Sequence, residues 1–376
     1  MINFRSATRW SLLSGALLFG AGLAFHRPAA AVPAFAQQTG RNCAACHVGG
    51  FGPELTQFGR EFKLGGYTLR MHASVPLSAM AVASWTHTAK DQVPAPEHLH
   101  ANSNLVLDQA SLFVAGGIGD HLGGFAQLVT YDGVGRSWSW DNTDLRAVTN
   151  AKLFGEDSIV GLTLNNNPTV QDPWNTLPAW GFPFTDTKVS ATPNAGELID
   201  GALAANVVGL TGYAWVAHKF YVEGGGYSSP ASGTLSFLGI DPTSSGSLHG
   251  MAPYGRIAYQ NDLAGGTFEI GANMLNAAIY PGRDHSSGFA DHYTDWGVDS
   301  SWLKPLGKTN SLSANVRFEY ERGSLRASCA LGLIGDGSDV DCARYNSTSG
   351  APRCDTRGTT MSASRFLRSA SPVRAI

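Results

Sequence analysis

Beyond Gly66, apolar and polar residues alternate in runs of about ten, the length of one tilted strand crossing a bilayer. In Leu312–Glu321 the even positions Leu312, Ala314, Val316, Phe318 and Tyr320 are apolar and the odd ones polar. Leu145, Ala147, Ala151 and Leu153 alternate with Asp144, Arg146, Asn150 and Lys152, with Val148 out of step. Phe268, Ile270, Ala272 and Met274 alternate with Thr267, Glu269, Gly271 and Asn273, as Trp296, Val298 and Trp302 do with Asp295, Asp299 and Ser301. A period of two puts each set on its own face of a sheet. The pattern predicts eleven strands, over 77–88, 104–116, 121–131, 139–153, 157–165, 206–217, 218–228, 251–260, 266–279, 292–303 and 310–322. Turn signals such as Gly117-Ile118-Gly119-Asp120, Gly155-Glu156-Asp157 and Leu306-Gly307-Lys308 separate them. Single-chain bacterial barrels have an even number, so at least one strand is missed or supernumerary. Residues 166–198, with Pro168, Pro173, Pro178, Pro183 and Pro193, read as a long loop. Its Trp174, Trp180, Phe182 and Phe184 either cap a lumen or pack within the loop.

A soluble sandwich would alternate in the same way, and composition separates the two. Of 376 residues only 15% are charged and 45 are Gly, against about 25% and 7% in ordinary soluble domains. A mean hydropathy of -0.08 is too polar for a bundle of membrane helices. Arg5 and Arg9 precede a short apolar core from Trp10 to Phe25, and Ala29-Ala30-Ala31 and Ala34-Phe35-Ala36 offer small-residue cleavage sites. Residues 1–31 therefore read as a signal peptide. Removing them takes away three arginines and no acid, leaving a net charge of -6 with no basic stripe for nucleic acid. Export, low charge and aromatic strand ends at Trp138, Trp140, Tyr293 and Trp302 favour the outer membrane over a soluble sandwich.

Cysteine usage brings in chemistry. Cys43-Ala44-Ala45-Cys46-His47 is the attachment motif for covalent haem c. Two thiols three positions apart reach the two vinyl groups of one porphyrin, and the adjoining imidazole binds its iron as proximal ligand. Composition gives about 0.002 chance occurrences of such a pattern. A thioredoxin-like pair would need a βαβ setting, and a zinc site would need further Cys or His nearby. The remaining cysteines, Cys329, Cys342 and Cys354, allow one disulfide with one thiol left over.

The surroundings of the motif narrow the choice. Pro33-Ala34-Phe35-Ala36 and Thr39-Gly40 precede it, and Pro53, Leu55, Phe58-Gly59-Arg60, Phe62-Lys63 and Gly66-Tyr67-Thr68 follow. Over residues 32–68 the chain resembles the fused cytochrome-porins of the outer membrane of iron-oxidising bacteria. Over the rest the resemblance is one of architecture. It implies an all-β fold, a transmembrane antiparallel β-barrel of roughly sixteen strands preceded by a small α-helical monohaem cytochrome c domain. It also implies electron transfer from extracellular Fe(II) through one covalent haem c to a periplasmic c-type cytochrome, an Fe(II):cytochrome c oxidoreductase activity. Two alternatives stand beside it, a porin with a structural haem plug and electron transfer with another donor.

The expected organisation is a signal peptide (1–31), a haem domain (32–70), a barrel (71–324) and an atypical tail (325–376). Leu55, Phe58, Phe62 and Leu64 predict a helix with Pro53 just inside its start and Gly65-Gly66 past its end, presenting an apolar stripe to a porphyrin or to protein. About 37 residues cannot bury a macrocycle alone, so the barrel wall supplies the other half. Arg60 and Lys63 are candidates for haem propionates or for a solvated face. Cys43 and Cys46 carry the haem, His47 is proximal, and Met71, His72, Met80 and His87 are candidates for the distal ligand. Weaker metal candidates are His98 with His100 on one strand face, and the loop from Asp284-His285 to Asp291-His292. Gly224-Gly225-Gly226 reads as hairpin material. The tail has seven Arg, four Asp, no Lys or Glu and no alternation, as expected of a native frame that ends near Leu325.

Overall fold

The computed structural model describes residues 33–50, 54–72, 75–174, 189, 197–244, 246–307, 310–334 and the backbone of 344–347. The signal segment, Trp180, Phe182, Phe184 and most of the tail lie outside the described residues. One antiparallel sheet dominates, its strands paired in chain order. They are β1 (Leu77–Thr86), β2 (Asn104–Ile118), β3 (Leu122–Asp132), β4 (Ser137–Ser139), β5 (Thr143–Leu153), β6 (Glu156–Asn165) and β7 (Val208–Val216). Then come β8 (Phe220–Ser228), β9 (Ser247–Leu248), β10 (Ala252–Leu263), β11 (Gly266–Tyr280), β12 (Asp291–Leu306), β13 (Asn310–Ser324) and β14 (Arg344–Ser347). All eleven predicted strands are present. The additional β4, β9 and β14 are two to four residues long, too short to show alternation, and pair with β3, β11 and β13.

Burial along the strands is inside-out. Asp144, Arg146, Thr163, Asp295 and Glu319 are buried, while Leu145, Leu162, Trp296 and Val316, of opposite parity on the same strands, are 42%, 55%, 44% and 50% exposed. Polar residues thus line an enclosed face and apolar residues the open one. The sheet curves. Leu64 accepts a hydrogen bond from Tyr213 of β7 (2.6 Å), and Tyr67 donates one to Asp144 of β5 (2.6 Å). The carbonyls of Gly66 and Tyr67 lie against Gly123 of β3 and Gly117 of β2. Those strands span about 19 Å of a flat sheet, yet four consecutive residues touch them all.

The connections are asymmetric. Those between β2 and β3, β5 and β6, β7 and β8, β10 and β11, and β12 and β13 have two or three residues, whereas those at the other end run to ten or more, apart from the short links through β4 and β9. The described parts of the longest turn inward, and the mostly polar residues 167–172 suit the enclosed face. Trp174 is buried, donates to Gln260 (3.0 Å) and stacks edge-on with Tyr221 and Trp215. Ile199, Leu203 and Val207 fill the space beside Tyr227, Tyr254 and Leu275. Tyr293, expected at a membrane-facing strand end, faces inward against this group because it shares the parity of Asp291 and Asp295. The Gly224–Gly226 run lies within β8 rather than in a hairpin. A Cβ on Gly225 would sit 2.2 Å from the Leu210 carbonyl on β7, so close strand approach explains that glycine, whereas one on Gly224 would meet nothing.

Ion pairs satisfy the enclosed face. Arg256 meets Asp172 (3.2 Å), Glu269 (3.2 Å) and Asp299 (2.8 Å), all without solvent exposure. Arg146 meets Asp144 (3.0 Å), whose second partner set includes Thr163 (2.8 Å). Removing one member of a buried ion network leaves the others uncompensated. Arg256→Met is therefore expected to lower stability by about 3–5 kcal/mol, read as an earlier urea midpoint by circular dichroism. Lys152→Met, which breaks the exposed pair with Asp157, should cost less than about 1 kcal/mol in the same measurement.

Candidate haem-attachment site

The Cys-rich motif is a rigid local unit. Helix α1 (Pro33–Thr39) leads into α2 (Cys43–Cys46), a single turn whose first residue is capped by Asn42, the side chain accepting from the Ala45 amide at 3.1 Å. The His47 amide closes the turn onto the Cys43 carbonyl (2.9 Å), and His47 forms an antiparallel bridge with Leu55. Thr56 ties the return strand down three ways. Its amide donates to Cys46 (2.9 Å), its hydroxyl donates to Ala45 (2.5 Å), and the same hydroxyl accepts from the Gly59 amide as the cap of α3 (Gln57–Leu64). Helix α3 crosses directly over α2 at Gly59, where a Cβ would stand 2.2 Å from the Cys46 carbonyl oxygen. The glycine of the Phe58-Gly59-Arg60 triplet is thus a contact requirement.

Both thiols are free and half-buried, one turn apart, with His47 half-buried beside them. This donor set fits a covalent haem, two thiols for the vinyl groups and one imidazole for the iron. It fits a dithiol catalyst poorly. Burial, with Cys43 adding to it, pushes the Cys46 thiol up to about 11, whereas reactive Cys pairs have lowered values.

Helix α3 begins at Gln57, not at Pro53, because Leu55 is committed to its bridge with His47 and Thr56 supplies the cap; Pro53 itself lies outside the described residues. The apolar stripe divides in two. Phe62 packs edge-on against Phe35 and Tyr67, and Leu64 joins the Trp174, Tyr213, Trp215 and Tyr221 group, so both serve protein packing. Leu55 and Phe58 stay beside the Cys motif, with Arg41 over the Phe58 ring at 5.5 Å. Arg60 and Lys63 are buried, so neither belongs to a solvated face. Arg60 donates to Gln260 (3.3 Å). Lys63 donates to the carbonyls of Val170 and Asp172 and lies 3.9 Å from Asp144, pinning the inward loop to the helix.

The distal candidates scatter. Met71 is 62% exposed, and Met80 sits in β1 opposite Ser111. His87 stacks on Trp85 and bonds Ser103 (3.0 Å) on an exposed surface, far along the sheet. His72 lies against Gly40. His98 and His100 occupy a loop rather than a strand face, since Asn102 and Asn104 fold that segment through their amides. Asp291 accepts from Ala327, Ser328 and the Ser328 hydroxyl, anchoring helix α4 (Arg326–Ala330), and His285 stacks on Tyr280. Among the described residues, no three His, Cys, Asp or Glu side chains gather as a metal site. Cys329 is disulfide-bonded.

The alternation gave no sign of the residues that seat the motif. Gln38, Tyr67, Asp144 and Tyr213 hold the segment in the sheet, and only the first two fall inside the motif-bearing stretch. Family models, curated proteins and solved structures offer no match to this chain.

Gly59→Ala is expected to push α3 off α2 while leaving the sheet intact. In the haem-free protein this should appear as maleimide labelling of Cys43 and Cys46 about tenfold faster, with an unchanged strand signal in circular dichroism. Lys63 generates a pH prediction. Burial lowers its ammonium from the ordinary 10.5 to about 8, with Asp144 opposing that shift. The folded chain therefore binds this proton more weakly than the unfolded chain, and folding gains as pH rises between about 8 and 10.5. Unfolding midpoints at about pH 7 and about pH 10 should show the gain, worth about 3 kcal/mol at most, and Lys63→Met should lack that increment.

Proposed function

We propose that this chain is an outer-membrane electron-transfer protein, carrying one haem c at Cys43 and Cys46 with His47 as the proximal ligand. The observation that carries the reading is the haem-attachment turn docked within the polar, enclosed face of an inside-out sheet. A haem held there supplies a one-electron Fe(III)/Fe(II) couple. The chain's residues do the rest. Gln38, Tyr67 and Gly59 fix the attachment turn relative to the sheet, and Leu55 and Phe58 offer apolar cover beside it.

The exposed apolar face favours a barrel in a bilayer, since a continuous band of exposed leucine, valine and isoleucine far exceeds what water-soluble monomers leave open. In outer-membrane barrels the short turns face the periplasm. The haem segment reaches Gly117, Thr267 and Asn315, within a few residues of three such turns. That end suits delivery to a periplasmic c-type cytochrome, and extracellular Fe(II) is the donor implied by the resemblance of residues 32–68 to the cytochrome-porins. The inward loop and the buried Arg256 network occupy the enclosed face, which disfavours a porin whose activity is solute passage.

The test uses outer membranes from a host competent in haem c maturation, with Fe(II) added under anaerobic conditions. Growth of the reduced α-band is expected, and Cys43→Ala should remove the covalent haem. A haem that dithionite reduces and Fe(II) does not would replace iron by another donor or leave a structural plug. Release of a soluble marker from vesicles carrying the protein would favour the porin.

A further inference from the structure

We propose that His72 would supply the second protein ligand of the haem iron, together with His47. The inference rests on the haem c reading and adds the coordination that the sequence leaves open. The Gln38 carbonyl accepts from both the Met71 amide (2.9 Å) and the His72 amide (3.2 Å), so the chain leaving the haem segment doubles back along the chain entering it. The His72 side chain is thereby laid on Gly40, three residues before Cys43. Gly40 has φ of +63°, and a Cβ there would stand 2.9 Å from His72 Nε2 and 3.0 Å from Cδ2. A residue with a side chain would be strained at this φ and would displace the imidazole. Two independent features, a paired backbone clasp and a bare glycine, thus seat one imidazole beside the attachment turn.

The competing ligands lack this placement. The His87 ring is engaged by Trp85 and Ser103. Met80 is set in the β1–β2 ladder, and Met71 shares the Gln38 clasp but, among the described residues, has no glycine seat like that of His72 on Gly40. Among the described residues no side-chain hydrogen bond holds the His72 ring, which rests by its Nε2–Cδ2 edge on Gly40 beside the attachment turn. Two imidazoles set a lower potential than an imidazole with a methionine sulfur. His72 therefore fixes how readily the site accepts an electron.

The experiment uses the full, haem-loaded chain in detergent. Haem staining after denaturing electrophoresis comes first, because absence of covalent haem defeats the underlying reading and not the ligand assignment. With haem present, the wild type is expected to be six-coordinate and low-spin without the methionine-to-iron charge-transfer band. His72→Ala should lose the low-spin signal and gain carbon monoxide binding, and added imidazole should restore the low-spin signal. His72→Met should introduce the charge-transfer band and shift the potential upward. Gly40→Val should weaken ligation as His72→Ala does. If His72→Ala is not matured with haem, His72→Met decides. An unchanged low-spin spectrum in His72→Ala, a methionine band in the wild type, or no new band in His72→Met would overturn the assignment.

Discussion

One buried side chain holds the segment from Pro33 to His72 together. Gln38 donates to the carbonyls of Tyr67 (2.7 Å) and Leu69 (2.8 Å), accepts from the Gly117 amide of β2 (2.9 Å), and through its own carbonyl receives Met71 and His72. The primary amide is the one neutral group that presents two donors and an acceptor from a planar fork. It joins the start of the segment to its end, and both to the sheet. A segment of about forty residues has too little core to fold alone. Its order is borrowed from the wall, and Gln38 is where the loan is taken.

The wall can lend that order because its enclosed face is polar. Tyr67, Leu64, Arg60 and Gln57 each find a hydrogen-bond partner on a different strand, from β5 to β11. Close packing of such large polar side chains needs bare backbone opposite them. Tyr213 lies over Gly161 and Tyr227 over Gly209, at separations where any Cβ would collide. Gly161 and Gly209 are thereby packing requirements of the interior. Along β11, β12 and β13 the same interior buries Glu269, Asp295, Asp299, Glu319 and Glu321, with Arg256 pairing Glu269 and Asp299.

What the sequence discloses follows from the range of the physics. Alternation is local, so every strand long enough to show it was legible, and Trp296 outside with Asp295 inside is the inside-out signature in two residues. The Cys43–His47 spacing is equally local. Trp174 was not legible, because whether a Pro-rich loop turns outward or inward depends on partners such as Gln260, Arg256 and Tyr221, far along the chain. Tyr293 misled for a related reason, since an aromatic residue suits either a bilayer interface or an enclosed aromatic group and only its parity with Asp295 decides. Arg60 and Lys63 fit either propionate pairing or a solvated face until the wall that buries them is in place.

The position of the attachment turn has a consequence for the proposed electron path. It sits close to the short turns, while the long connections lie at the far end of strands up to 16 residues long, about 40 Å away after tilt. Transfer to an acceptor at the short-turn end is therefore brief. A donor at the long-loop end faces a filled interior, in which Trp174 and the Arg256 network stand between it and α3. On this proposed arrangement the short-turn end would serve the acceptor, while the residues around Cys43, Cys46 and His47 would set the potential of the bound group.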